Sequence, residues 1–138
     1  MKYLILLVCV CGFVGLNAQI SDLDRRATAH MEPFYIEVTT ENAKAIQALQ
    51  GPNLVLIDVR TPEEVAQGKI KGALEMDIKS NDFKEKVAAL DKTKQYMVYC
   101  YAGGLSANAM KIMKEMGFKQ IYTLQDGYRA WAQTMATK

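Results

Sequence analysis

The chemistry available to this sequence centres on one cysteine. Cys100 follows the apolar run Tyr96-Met97-Val98-Tyr99 and opens the loop Tyr101-Ala102-Gly103-Gly104-Leu105-Ser106. A loop leading from a strand into a helix can turn its backbone N–H groups toward one point. Gly103 and Gly104 permit the dihedral angles that such a cradle needs. Ser106 is placed to N-cap the next helix, whose N-terminal partial charge adds to the same field. A sulfur at that point is favoured as the thiolate, and the same donors stabilise a terminal persulfide anion or a bound oxyanion. No imidazole is needed, and none lies nearby. His30 is the only histidine and reads as a solvated side chain, with no second histidine or cysteine at metal-ligand spacing. A cysteine–histidine hydrolase is poorly supported, no metal is implied, and the competing reading of Cys100 is a buried structural thiol.

The other two cysteines, Cys9 and Cys11, sit in the first segment. Lys2, the uncharged and largely apolar stretch Tyr3 to Leu16, and Asn17-Ala18-Gln19 have the form of a secretory signal peptide cleaved after Ala18. Tyr3 to Leu16 is too short to cross a hydrocarbon layer of about 30 Å, so no stable membrane span is expected. An uncleaved anchor is the alternative; lipid attachment at Cys9 or Cys11 fits less well, because Val8 and Val10 are bulky. Removal of residues 1–18 makes the protein periplasmic or secreted and leaves Cys100 its only thiol. It also takes Lys2 from the 17 basic residues, leaving 16 against 15 acidic ones, a net charge of +1. That balance gives no electrostatic case for nucleic acid or an anionic membrane. A lone thiol in an exported chain is inert, paired between molecules, or reactive.

At 138 residues, the chain has room for one domain. Residues 19–32 are polar and read as a lead-in, and residues 33–138 as the domain. Phe34 to Val38 alternates like an edge strand. Thr40 is placed as N-cap of a helix over Glu41 to Leu49 with Ala45, Ile46 and Leu49 on its apolar face. Leu54 to Ile57 is continuously apolar, as a strand covered on both faces requires. Thr61-Pro62-Glu63-Glu64 reads as N-cap, first-turn proline and two favourable acids, followed by a short helix to Gly68. Ile70 to Met76 connects to a helix over Asp82 to Leu90 with the stripe Phe83, Val87, Leu90. After Cys100, Ala109, Ile112, Met113 and Met116 form another stripe, closed by Gly117. Ile121 to Leu124 is the last strand, Asp126-Gly127 a turn, and Tyr128 to Ala136 the last helix, with Trp131 inward. Strands alternating with helices indicate an α/β fold with a largely parallel sheet.

Three segments carry a family resemblance. Leu56-Ile57-Asp58-Val59-Arg60-Thr61-Pro62-Glu63-Glu64 with Gly68-Lys69-Ile70-Lys71-Gly72-Ala73 resembles the first signature of rhodanese domains. Val98 to Ala107 resembles their active-site loop, and Gly117-Phe118 with Leu124 to Trp131 their closing segment. The matches stand in family order and span nearly all of residues 34–136. The resemblance implies a single rhodanese-like α/β domain whose central, mostly parallel five-stranded sheet carries helices on both faces. It also implies a sulfurtransferase of the thiosulfate:cyanide type, without cofactor. In such an enzyme Cys100 takes a sulfane sulfur from a small donor (thiosulfate, polysulfide or persulfide), holds it as a persulfide, and passes it to a thiol, cyanide or protein acceptor. The backbone N–H groups of Tyr101, Ala102, Gly103, Gly104, Leu105 and Ser106 would form the anion cradle. Counted from Cys100 to Leu105, the loop has the sulfur-transfer length; the related phosphatases carry one residue more.

The sequence departs from the family pattern at three places. Leu105 stands where many members have a basic or hydroxyl residue, which removes a cation from the rim and makes thiosulfate a less secure donor. Lys69 replaces a frequent histidine, and Asp126 the first glycine of a usual pair. Asp58 and Arg60 match the first signature and are expected to brace the loop, with Arg60 also placed to pair with Glu64. Arg129, near the last turn, reads as a solvated side chain on a helix face, with approach to a substrate anion as the alternative. Two other readings compete: a non-catalytic rhodanese-like binding or sulfur- and redox-sensing module, and an oxidoreductase forming an intermolecular disulfide through Cys100.

Overall fold

The strands are β1 (Phe34–Val38), β2 (Leu54–Asp58), the two-residue β3 (Leu74–Glu75), β4 (Gln95–Tyr99) and β5 (Gln120–Leu124). The helices are α1 (Thr40–Gln50), α2 (Pro62–Ala66), α3 (Phe83–Ala88), α4 (Gly104–Glu115) and α5 (Gly127–Ala136). These elements come from a computed structural model that describes residues 32–136. The expected leader at 1–18 with Cys9 and Cys11, the lead-in as far as Met31, and His30 lie outside the described residues. One sheet runs in the order β1-β5-β4-β2-β3, and every pairing in it is parallel. All five carboxyl ends therefore share one edge, the edge at which open parallel sheets gather their chemistry.

The two faces of the sheet follow from the alternation of side chains along β4. Tyr96, Val98 and Cys100 pack with Phe83 and Val87 of α3 and with Ala109 and Met113 of α4. Met97 and Tyr99 point the other way, into a cluster with Ala43 of α1 and Trp131 of α5. Helices thus cover both faces, which is why β2 and β4 are apolar almost throughout. Each large side chain sealed in this way, such as Met97 or Met113, contributes roughly 1.5–3 kcal/mol relative to exposure. Among the described residues no helix is long and apolar enough to cross a membrane.

The stripes expected on α3 and α4 are the buried ones: Phe83, Val87, Ala109 and Met113 are fully enclosed, and Leu90, Ile112 and Met116 pack against them. On α1 the structure corrects the reading. The N-cap is Thr39, whose hydroxyl accepts from the Asn42 N–H, and Thr40 is already helical and buried. The face against the sheet is Ala43 with Ile46, while Leu49 is 84% exposed. The expected connector from Ile70 to Met76 contains β3, and the last helix begins one residue early, at Gly127.

Candidate active site

Cys100 directly follows β4 on the side of α4, and only 2% of it is exposed. Its Sγ accepts a hydrogen bond from the Gly103 N–H at 3.1 Å and lies 3.7 Å from the Ser106 hydroxyl oxygen. Burial pushes the thiol's pKa up. The N–H and hydroxyl of Ser106 and the N–H groups of Ala102 and Gly103 outweigh it and hold the thiol below its ordinary value. As drawn, the Ser106 hydroxyl donates to the Gly103 carbonyl at 2.8 Å. A hydroxyl hydrogen rotates freely, so it can turn onto the sulfur once the thiol has ionised. Of the six loop N–H groups expected to form the cradle, those of Ala102, Gly103 and Ser106 act on the sulfur.

The helix behind the sulfur starts earlier than its sequence indicates. Gly103, not Ser106, is the N-cap of α4, and Ser106 sits inside the first turn. Only Gly103 has a positive φ, +98°; Gly104 is helical and has open space around it. The tight turn therefore rests on one glycine of the pair. The gain is that Ser106, held within the helix, presents both its N–H and its hydroxyl to the same sulfur.

The turn between β5 and α5 holds the loop from outside. Tyr128 and Arg129 donate their N–H groups to the carbonyls of Cys100 and Tyr101 at 2.7 and 3.1 Å. Tying those carbonyls outward leaves the opposite edge of the loop to present donors to the sulfur. Contact is so close that a Cβ on Gly103 would strike the Gln125 carbonyl, and one on Gly127 (φ +65°) the Tyr101 carbonyl. This clamp is the main feature that the sequence does not disclose; its trace there is the turn Asp126-Gly127.

Asp58 and Arg60, at the end of β2, form a second brace. Both are buried. The Arg60 guanidinium grips the Asp58 carboxylate through Nη2 at 2.6 Å and Nε at 2.9 and 3.1 Å. It also donates to the carbonyls of Gly68 and Glu64 at 2.7 and 3.3 Å. The expected pairing of Arg60 with the Glu64 carboxylate is not made, because that carboxylate accepts from the Thr61 N–H in a capping box on α2. Arg60 instead lies over the Tyr128 ring, with its guanidinium carbon 4.1 Å from the ring centre. Tyr128 in turn stacks on Tyr99, whose buried hydroxyl accepts from the Ile70 N–H. Burial and the nearby Asp58 charge push the Tyr99 phenol up, so it stays neutral. The first signature thus reaches the loop through α5.

The exposed part of the loop carries no charged side chain. Tyr101 is half exposed, Ala102 and Gly104 are exposed, and Leu105 leans onto the core cluster that contains Cys100. Lys69 is engaged elsewhere, with Glu75 at 2.5 Å and the Ala73 carbonyl at 3.3 Å. Asp126 is exposed in the turn before α5. Among the described residues, no group of three or more histidine, cysteine or acidic side chains is placed to hold a metal ion.

Comparison with known proteins agrees with this arrangement. The family model for the rhodanese-like domain matches residues 41–134. The YtwF protein of Bacillus subtilis, whose name carries a provisional sulfurtransferase assignment, is 44% identical over 78 residues, covering 56% of this chain and 73% of its own. Thiosulfate sulfurtransferase GlpE of Stutzerimonas stutzeri is 30% identical over 87 residues, covering 63% of this chain and 78% of its own. The crystal structure of a rhodanese-related protein from Thermoplasma volcanium superposes with a TM-score of 0.61 at 25% identity, covering 72% of this chain and 93% of that one. The match takes in both braces and the whole cysteine loop, and the chain belongs to the rhodanese-like domain family, among relatives named as sulfurtransferases.

Proposed function

We propose that this protein is a sulfurtransferase that carries sulfane sulfur on Cys100. The Cys100 thiolate attacks the outer sulfur of a donor such as thiosulfate, a polysulfide or an organic persulfide. The donor's S–S bond breaks, its electron pair departs on the leaving group (sulfite, for thiosulfate), and Cys100 becomes a persulfide ending in an anionic sulfur. A thiol, cyanide or protein nucleophile then attacks that terminal sulfur, and the electrons of the Cys100 S–S bond return to Cys100 as thiolate. Neither step needs a metal, a cofactor or a histidine base. The observation that carries this reading is the seat of Sγ at the start of α4, 3.1 Å from the Gly103 N–H. Donors fixed there favour the attacking thiolate and the persulfide anion alike. Asp58 and Arg60, buried and paired with each other, serve the loop as a brace.

Intact-protein mass spectrometry after incubation with each donor class tests the proposal. The wild type gains one sulfur atom, an added acceptor removes it, and Cys100→Ser gains none. Failure to gain sulfur from any donor would sink the reading. A persulfide that no acceptor discharges would turn it toward the sulfur-sensing alternative. We also infer that residues 1–18 are a leader and that the protein works outside the cytoplasm. Lys2, the apolar stretch to Leu16 and the small Ala18 support this.

A further inference from the structure

Gly68 follows the last turn of α2, and its backbone is not that of an ordinary helix stop. Its φ is +138°, far from the value of about +57° at which a glycine commonly ends a helix. Gly51 and Gly72 also have positive φ, and a Cβ on either would meet nothing within 4 Å. A Cβ on Gly68 would lie 2.6 Å from the Tyr128 hydroxyl oxygen and 3.6 Å from the ring carbon that bears it. The space that Gly68 leaves is thus filled by a side chain from α5.

Both partners in that contact are held. The Gly68 N–H donates to the Val65 carbonyl at 3.0 Å, and the Gly68 carbonyl accepts from Arg60 Nη2 at 2.7 Å. The same guanidinium lies over the Tyr128 ring at 4.1 Å, and Tyr99 stacks on that ring with centroids 6.2 Å apart. An aromatic ring held in this way cannot bend aside at its tip as a long aliphatic chain would. The main chain of the same residue donates its N–H to the Cys100 carbonyl at 2.7 Å. A push on the Tyr128 hydroxyl is therefore passed to the peptide of the nucleophile.

We infer that Tyr128 is a positioning residue for Cys100 and that Gly68 sets its position: the hydroxyl seated against Gly68 fixes the ring, and the ring fixes the N–H that holds the Cys100 carbonyl. The inference rests on the reading of Cys100 as the sulfur carrier and adds a control on that sulfur from the turn after α2. With the Cys100 carbonyl held outward, the Gly103 N–H stays 3.1 Å from Sγ. When the carbonyl shifts, that contact lengthens and the thiolate is disfavoured.

The experiment follows the pH profile of Cys100 alkylation by iodoacetamide, with urea midpoints beside it, in the wild type, Gly68→Ala, Tyr128→Phe and the double variant. In the wild-type background Gly68→Ala drives a methyl group into the hydroxyl. Alkylation at neutral pH then slows about five-fold, the worth of one ordinary hydrogen bond, and the profile moves to higher pH. In the Tyr128→Phe background the colliding oxygen is gone, and adding Gly68→Ala leaves the profile level. The urea midpoint still falls there, because alanine at φ +138° is strained beside either ring. Strain at Gly68 acting alone would slow alkylation in both backgrounds; that result overturns the inference, as does an unchanged rate in Gly68→Ala. Tyr128→Leu removes the ring without touching Gly68 and is the measure where Gly68→Ala does not fold. It too slows alkylation, and a wild-type rate in it overturns the inference. Alkylation needs no sulfur donor, so a protein that alkylates as described yet gains no sulfur from any donor fails the sulfurtransferase reading alone.

Discussion

At Cys100 two opposing effects act on one atom. Burial disfavours the thiolate, and the N–H groups of three loop residues together with the Ser106 hydroxyl favour it more strongly. A thiol whose folded pKa lies below its unfolded value adds stability above the ordinary thiol range and loses it as pH falls through the folded value. Removing one of the lowering groups must therefore raise the pKa. Ser106→Ala is expected to shift the pH profile of Cys100 alkylation to higher pH, with a several-fold slower reaction at neutral pH. Profiles that superimpose would show that the hydroxyl serves only the Gly103 carbonyl. The residue types at this site are plain in the sequence. What they do not reveal is that the serine acts from inside the helix turn and not from its cap, because one N–H turned toward the sulfur moves the helix start to Gly104.

At the scale of elements, the loop is held by what packs outside it. Gly103 and Gly104 are neighbours in sequence and differ entirely in what they tolerate. Gly103→Ala forces a side chain into positive φ and into the Gln125 carbonyl, and is expected to cost roughly 2 kcal/mol or more and to abolish persulfide loading. Gly104→Ala enters an open helical position and should be neutral or stabilising by up to about 1 kcal/mol. Urea denaturation midpoints, read beside persulfide loading, decide it. Equal midpoints for the two variants would mean that the loop is not clamped by the β5–α5 turn. Strand runs, the α3 and α4 stripes and the strand-end cysteine were all legible, because they depend on local periodicity and local turn chemistry. The inward face of α1 was not, since the small Ala43 is buried there and the larger Leu49 is exposed. Nor was the partner of Arg60, since local spacing offers Glu64 and only the tertiary fold offers Asp58 and the Tyr128 ring together.

For the whole molecule, the all-parallel sheet brings Asp58, Cys100 and the turn before α5 to one edge although they span some seventy positions of the chain. The leader proposed at residues 1–18 adds a further expectation. Expressed with its own N-terminus in a secreting bacterial host, the protein recovered outside the cytoplasm begins at Gln19 by intact mass; a mass that retains residues 1–18 contradicts the leader. Chain order gives a new meaning to the clamp that α5 places on the cysteine loop. The carbonyls of Cys100 and Tyr101 are tied by residues 128 and 129, which are synthesised after them. Until that last helix docks, the carbonyls of Cys100 and Tyr101 lack the donors that fix the loop. Completion of the clamp is thus the last step that chain order allows, and the loop that holds the sulfur is fixed only when residues 128 and 129 are in place.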